Sequence, residues 1–314
     1  MTVNTLSKFD RVTYNKYAGI RAIGSIPVSI KAFKTNFHLQ RAAYLATSLE
    51  SPSWGSIQSY DGAGISAGPF HWIAVYPSTL KQGPLFGIIS KIRDSLGVIY
   101  ADKNGSPHPE KNVNWKGLSS AFSKIGWYLS PDGVLRDSLG KPIPGDVIRN
   151  TFAPVNGLVP QSGQDRASAE TWAILFHNLF SDSETYASQI TCATQYLVEG
   201  QQKLELSTYQ TLSKIKVMDS SILDDSHLKI DVDLAMCVYH AHSVNAPGIA
   251  AECLLFCQSK LISPNFSKIL IQELMRKKYG NWDKRYVRTR LAAQSSGLWP
   301  SEMFVGSDAI MPKV

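Results

Sequence analysis

The chain has 314 residues, 44% of them hydrophobic and 18% charged, which is enough apolar material for a sizeable core and excludes wholesale disorder. Its 32 basic residues against 25 acidic ones give a formal charge of +7. That balance suits an anionic partner such as nucleic acid, a lipid surface or a cell-wall polymer. The basic residues are scattered, however, and the densest group, Arg276 to Arg290, reads as well as the solvated face of a helix. No nucleic-acid partner is expected from it. No stretch approaches the roughly eighteen apolar residues that a membrane span needs, so no membrane partner is expected either. The opening MTVNTLSKFDRVTYNKY has no apolar core of the kind a secretory signal carries.

Residues 1–35 are mixed, and the run from Ile23 to Phe33 is irregular around Pro27. From Asn36 the pattern changes. Phe37, Ala42, Tyr44, Leu45 and Leu49 recur at three- and four-residue spacing, which predicts an amphipathic helix over 36–50. Thr35 or Asn36 supplies its N-cap, and Pro52 closes it. Gly55 to Trp72 is rich in Gly and Ser with alternating apolar residues, the pattern of short strands and turns. Helical signals resume from Gly87 to Leu96. The segments 101–117 and 130–165 carry many of the prolines and read as loop insertions, because helical patterns flank both. Ser168–Phe180, Tyr186–Leu197, Leu204–Val217, Asp231–Ser243, Ile249–Ser259 and Phe266–Tyr279 all read as helices. With no internal repeat, the expectation is one α+β domain over 1–314, mostly helical, with a small strand element after the first long helix.

The four cysteines are Cys192, Cys237, Cys253 and Cys257. Cys253 and Cys257 would share a helix face, but no second pair has ligand spacing, so buried free thiols are expected rather than a disulfide scaffold. His240 and His242 would point in different directions on a helix, which argues against a shared metal site.

The stretch that carries chemistry runs from Tyr44 to Trp72. Glu50 falls on the last turn of an apolar helix. The partial negative charge of a helix C-terminus and desolvation both disfavour a carboxylate there and raise its pKa, as a general acid requires. Taken alone, Glu50 also reads as an ordinary exposed terminal Glu. Asp61 follows eleven residues later in a segment where Gly62, Gly64 and Gly68 allow tight turns. A hairpin would fold Asp61 back beside the helix end, with Ser66 on the neighbouring strand. One protonated and one ionised carboxylate flanking a cleft are the equipment for cleaving a glycosidic bond. Asp61 equally reads as a turn aspartate that caps its own loop.

A terminal helix Glu followed by Tyr60-Asp61-Gly62-x-Gly64-x-Ser66-x-Gly68 resembles the lysozyme superfamily. It is most similar to the inverting chitosanases, whose segment reads D-G-x-G-Y-T-x-G. It also resembles, with one residue fewer, the D-x-x-G-x-x-T-x-G-x-G-H segment of phage-type lysozymes. The resemblance implies a lysozyme-like fold, with Glu50 as general acid, Asp61 as the residue that activates water, and Ser66 as a holder of that water. Ser66 stands where Thr is usual, and Pro69-Phe70-His71-Trp72 replaces the usual ending. The match covers 23 of the 314 residues, Glu50 to Trp72. A second likeness is the segment Asp231 to Gly248, similar to the buried central helix of such folds, with Asn245 near the cleft. A buried helix with a Gly-ended cap explains it as well.

Sugar rings stack on aromatic side chains, and Trp54, Tyr60, His71, Trp72 and Tyr76 lie in or just after the motif. Trp72 reads as core. Trp54 and Tyr60 fit core or cleft, and His71 fits a structural or a cleft-lining role. Trp54, Tyr60, His71, Tyr76 and Asn245 are therefore the candidate substrate-binding residues. The expected activity is inverting hydrolysis of β-1,4 bonds in peptidoglycan, with no metal or organic cofactor. A chitosanase and a lytic transglycosylase are the alternatives within the enzyme class. A non-catalytic cell-wall-binding part of a phage tail or injection machine is the alternative outside it, with the tail or machine proteins as partners. The expected route is synthesis in the cytoplasm without a Sec signal and action at the bacterial cell wall.

Overall fold

The computed structural model describes residues 9–14, 17–22, 28, 53–59, 62–153 and 165–195. Its contacts divide the chain into two units, 1–28 with 50–192, and 29–49 with 193–314. The fold that follows is that of the first unit. The helices expected over 36–50, 204–217, 231–243, 249–259 and 266–279 lie outside the described residues, as do Cys237, Cys253 and Cys257. The expectation of a single domain over 1–314 extends across both units.

Five strands form an antiparallel sheet in the order β1 (Phe9–Tyr14), β2 (Tyr17–Ala22), β3 (Ile57–Gln58), β4 (Ser66–Ala67) and β5 (Trp72–Ile73). The sequence pattern led to β3, β4 and β5 but not to the first hairpin. Its signal is local: Val12, Thr13, Tyr14, Tyr17 and Ile20 are β-branched or aromatic, and Tyr14 pairs with Tyr17.

Register sorts the sheet residues by face, because directly paired residues project to the same side. Ile57, Ala67 and Trp72 form one cross-strand row and are all buried. Arg21, Gln58, Ser66 and Ile73 form the neighbouring row and project to the opposite face.

The first helix among the described residues, α1 (Leu85–Ile99), buries Leu85, Ile88, Ile89, Ile92 and Leu96, the spacing of one helical face. Pro84 precedes it at no hydrogen-bonding cost, since the N–H it lacks would be unpaired at a helix start. α2 (Val113–Lys124) is capped by Asn112, whose Oδ1 accepts from the N–H groups of Asn114 and Trp115 at 3.1 and 2.9 Å. A two-stranded hairpin follows, β6 (Trp127–Leu129) and β7 (Leu135–Asp137), then α3 (Gly145–Phe152) and α4 (Asp165–Ser181). Residues 186–195 are again helical. The segments expected to be loop insertions thus contain the start of α2, the strand β7 and the helix α3. The prolines that suggested loops instead mark element starts. Pro109 opens a short 3-10 turn (Pro109–Lys111), and Pro144 immediately precedes α3.

The core between these elements is aromatic, and Phe152, fully buried at the end of α3, is its hub. Its ring meets Trp172 at 5.1 Å, Phe176 at 5.4 Å and Trp127 at 6.4 Å, each edge-to-face, and Phe86 at 6.5 Å. Trp172 stacks in turn on Phe122 at 5.3 Å. A second group, Phe70, Trp72 and Phe180, seats the sheet on α4. Polar pins hold the periphery. Asn112 Nδ2 donates to Asp182 at 2.9 Å and Glu184 at 2.8 Å, Tyr100 donates to Glu184 at 2.7 Å, and Asn114 donates to Asp182 at 2.8 Å. On the other side, the Gln82 amide accepts from Leu135 N and donates to the carbonyls of Leu135 and Ile143.

Helices beside a small antiparallel sheet make the described residues α+β in character, as the sequence suggested. No helix among them is long and apolar enough to cross a membrane. Cys192 is a buried free thiol, and burial raises its pKa.

Candidate functional site

The candidate site is built on the turn between β3 and β4. Chain connectivity puts Asp61 in the segment 59–65 that joins them, although Asp61 itself lies outside the described residues, as do Glu50, Tyr60 and Asn245. Gly64 and Gly68 adopt φ of 78° and 79°, the left-handed region that the glycine-rich pattern called for. Space gives each a second reason to be glycine. A Cβ on Gly64 would lie 2.9 Å from the backbone Cα of Arg149 on α3, and one on Gly68 would lie 2.8 Å from the Trp72 ring and 2.9 Å from that of Phe180. Gly64 therefore lets the β3–β4 turn sit against α3, and Gly68 lets the β4–β5 turn sit against α4. Ile65 N donates to Ala63 O at 3.0 Å within the turn, and Val75 N donates to the same oxygen at 3.2 Å, which ties the turn to the chain just beyond β5.

Ser66 sits on β4, the strand flanked by β3 and β5, and is 2% exposed. Its cross-strand partners are Gln58 and Ile73, both half-buried, and the row continues through Gln58 to Arg21, which is exposed. Sequence reading did not single out Arg21 or Gln58. Their signal is the pairing register, which becomes visible only once β2 is recognised as a strand.

Of the aromatic candidates, Trp54 is 4% exposed with its ring stacked on Tyr186 at 4.2 Å, the placement of a core residue. Trp72 is core, as its sequence suggested. His71 is half-buried, and its backbone, at φ of 47°, closes the β4–β5 turn by donating to Gly68 O at 3.0 Å. Tyr76 is exposed at the start of the following turn, where its N–H donates to Lys81 O at 2.9 Å and its carbonyl accepts from Leu80 N at 2.8 Å. Trp54 and Tyr76 thus lie in very different surroundings, one in the core and the other open to solvent.

A residue that sequence reading passed over anchors the segment leading into β3. His177 lies on the buried face of α4, and its Nδ1 donates to Gly55 O at 2.6 Å. The carbonyl can only accept, so Nδ1 carries the hydrogen. Ser181 Oγ lies 3.3 Å from Nε2. Burial lowers the His177 pKa, against the opposing effect of the Gly55 carbonyl. The unfolded chain therefore takes up this proton first. The contribution is fully present above the free imidazole value of about 6.5 and is lost as pH falls from there towards the folded value. Calorimetric unfolding midpoints should fall between about pH 7.5 and pH 5.5, and His177→Asn, whose amide can still donate to Gly55, should flatten that slope.

Comparison with models of known protein families, with curated proteins and with solved structures finds no match to this chain.

Proposed function

We propose that the chain is a lysozyme-like glycoside hydrolase acting on β-1,4-linked amino-sugar polymers, with peptidoglycan as the substrate. Glu50 protonates the leaving oxygen, and Asp61 with Ser66 holds and deprotonates a water on the opposite face of the sugar. Both bonds change in one displacement, so the anomeric configuration inverts. A spacing of about 6.5–9.5 Å between the two carboxyl groups leaves room for that water.

The observation that carries this reading is the Asp61-to-Gly68 segment. Its widely spaced glycines flank the inner strand β4, with Gly64 in the turn before it and Gly68 in the turn after it, both at positive φ, and Ser66 on the strand itself. The proposed chemistry calls for an acid carried in such a turn and a hydroxyl on the adjoining strand. The action proposed is at the bacterial cell wall.

Mass spectrometry of digested peptidoglycan tests it. New reducing ends support hydrolysis. Anhydro-sugar ends would replace it with a lytic transglycosylase. Binding to purified walls without any product would replace it with a wall-binding structural role.

A further inference from the structure

We infer that His177 is the positioning residue of the candidate site, acting through the buried segment that joins its two acids. The inference rests on the glycosidase reading and adds to it the residue that holds Glu50 and Asp61 at their working separation.

Connectivity carries the first half of the argument. Glu50 stands three residues before Ser53, and Asp61 stands two residues after Ser59. Between them, residues 53–57 and Ser59 are buried, and Gln58 is half-buried. Ile57 and Gln58 are fixed as β3, paired on both sides. Ser56 O accepts from Gly68 N at 2.9 Å, and Ser56 Oγ donates to Ser53 O at 2.9 Å. Both acids therefore hang close to the ends of one short strut. The separation they keep depends on how firmly that strut is held.

α4 and the helical residues after it supply the hold. The Trp54 ring stacks on Tyr186 at 4.2 Å. A Cβ on Gly55 would lie 1.8 Å from Ser181 Oγ, so the backbone there rests directly on α4. At that contact His177, 6% exposed, donates from Nδ1 to Gly55 O at 2.6 Å. A polar ring on a buried helix face carries a desolvation cost that an apolar side chain would avoid, and the bond to the carbonyl offsets it. The bond also fixes direction, which apolar packing does not. Two acids that must straddle a water tolerate little drift, since a displacement of about 1 Å can cost about a hundredfold in rate. Buried beneath the strut, the ring acts on the chemical step through the acids and leaves substrate binding alone.

The test compares wild type, His177→Leu and His177→Asn on purified peptidoglycan, well below every unfolding midpoint. Reducing-end kinetics and amide exchange across residues 53–59 are both read. Leu fills the space without donating, and Asn places an amide donor where Nδ1 lies. His177→Leu is expected to lower kcat about 10–10²-fold with KM held within about twofold, and to speed exchange across 53–59. His177→Asn is expected to recover most of both. An unchanged kcat in His177→Leu overturns the inference, as does a loss that Asn does not relieve or one without faster exchange across 53–59. If His177→Leu does not fold, Tyr186→Leu, which frees the same segment at Trp54, should show the same kcat loss and faster exchange, and an unchanged kcat there overturns the inference. If wild type releases no new reducing ends, the glycosidase reading fails and this inference falls with it. If wild type is active and His177→Leu equally so, the inference alone fails.

Discussion

Glu50→Gln should lower the rate of cell-wall clearing by about 10²–10⁴-fold, the usual contribution of a positioned proton donor. Asp61→Asn should cause a loss of the same order. In the proposed mechanism the two roles are separate and both necessary. Gln keeps the shape of Glu but has no proton of the right acidity to give the leaving oxygen. Asn keeps the shape of Asp but cannot accept a proton from water. Turbidity and reducing-end assays on purified walls measure both effects, and unchanged unfolding midpoints would show that the fold survives. If Asp61→Asn stays close to wild type while Glu50→Gln is dead, the water-activating role is gone, and a mechanism in which the substrate closes its own anhydro ring takes its place.

The largest effect on stability is expected from Phe152→Ala. Phe152 is fully buried and touches Phe86, Trp127, Trp172 and Phe176. Truncating such a ring removes its transfer energy and leaves a cavity that four aromatic neighbours cannot refill without breaking their own stacking. The cost is about 3–5 kcal/mol. At about 2–4 °C per kcal/mol for a domain of this general size, the unfolding midpoint drops by roughly 6–20 °C. Phe152→Leu, which keeps most of the volume, should cost far less. The same change reaches the candidate site, because α3 ends at Phe152 and carries Arg149, whose backbone abuts Gly64. Loosening α3 removes the support under the turn that contains Asp61, so activity should be lost at temperatures below the unfolding midpoint.

Parts of this architecture could be read from the chain and parts could not. α1 and α4 were legible because their apolar residues repeat at helical spacing: Leu85, Ile88, Ile89 and Ile92 in one, Trp172, Ala173, Phe176 and Phe180 in the other. The turns at Gly64 and Gly68 were legible because positive φ has a strong residue preference. The helix α3 was missed because Pro142 and Pro144 were weighed as loop formers, whereas a proline before the first turn of a helix costs nothing. The first hairpin was missed although its pairing is local, because Asp10, Arg11, Ala18 and Gly19 interrupt its β-branched and aromatic residues and make the segment look mixed. The role of His177 was hidden because its partner is distant in sequence. One histidine on an apolar helix face gives no hint that a carbonyl 122 residues earlier will meet it. The roles of Glu50 and Asp61 were read from a short motif alone, and their test is chemical.

The side chain of Gln82 has a consequence beyond local satisfaction. Strand β7 pairs with β6 along one side, and along the other the returning chain supplies Lys141 O to Asp137 N and Ile143 N to Leu135 O, while Gln82 takes up Leu135 N. One carboxamide thus imitates a short piece of β-ladder. The hairpin rim is sealed from within the same molecule, so it presents no open template onto which a foreign extended peptide could zip, and fibril-type growth has no foothold along that side.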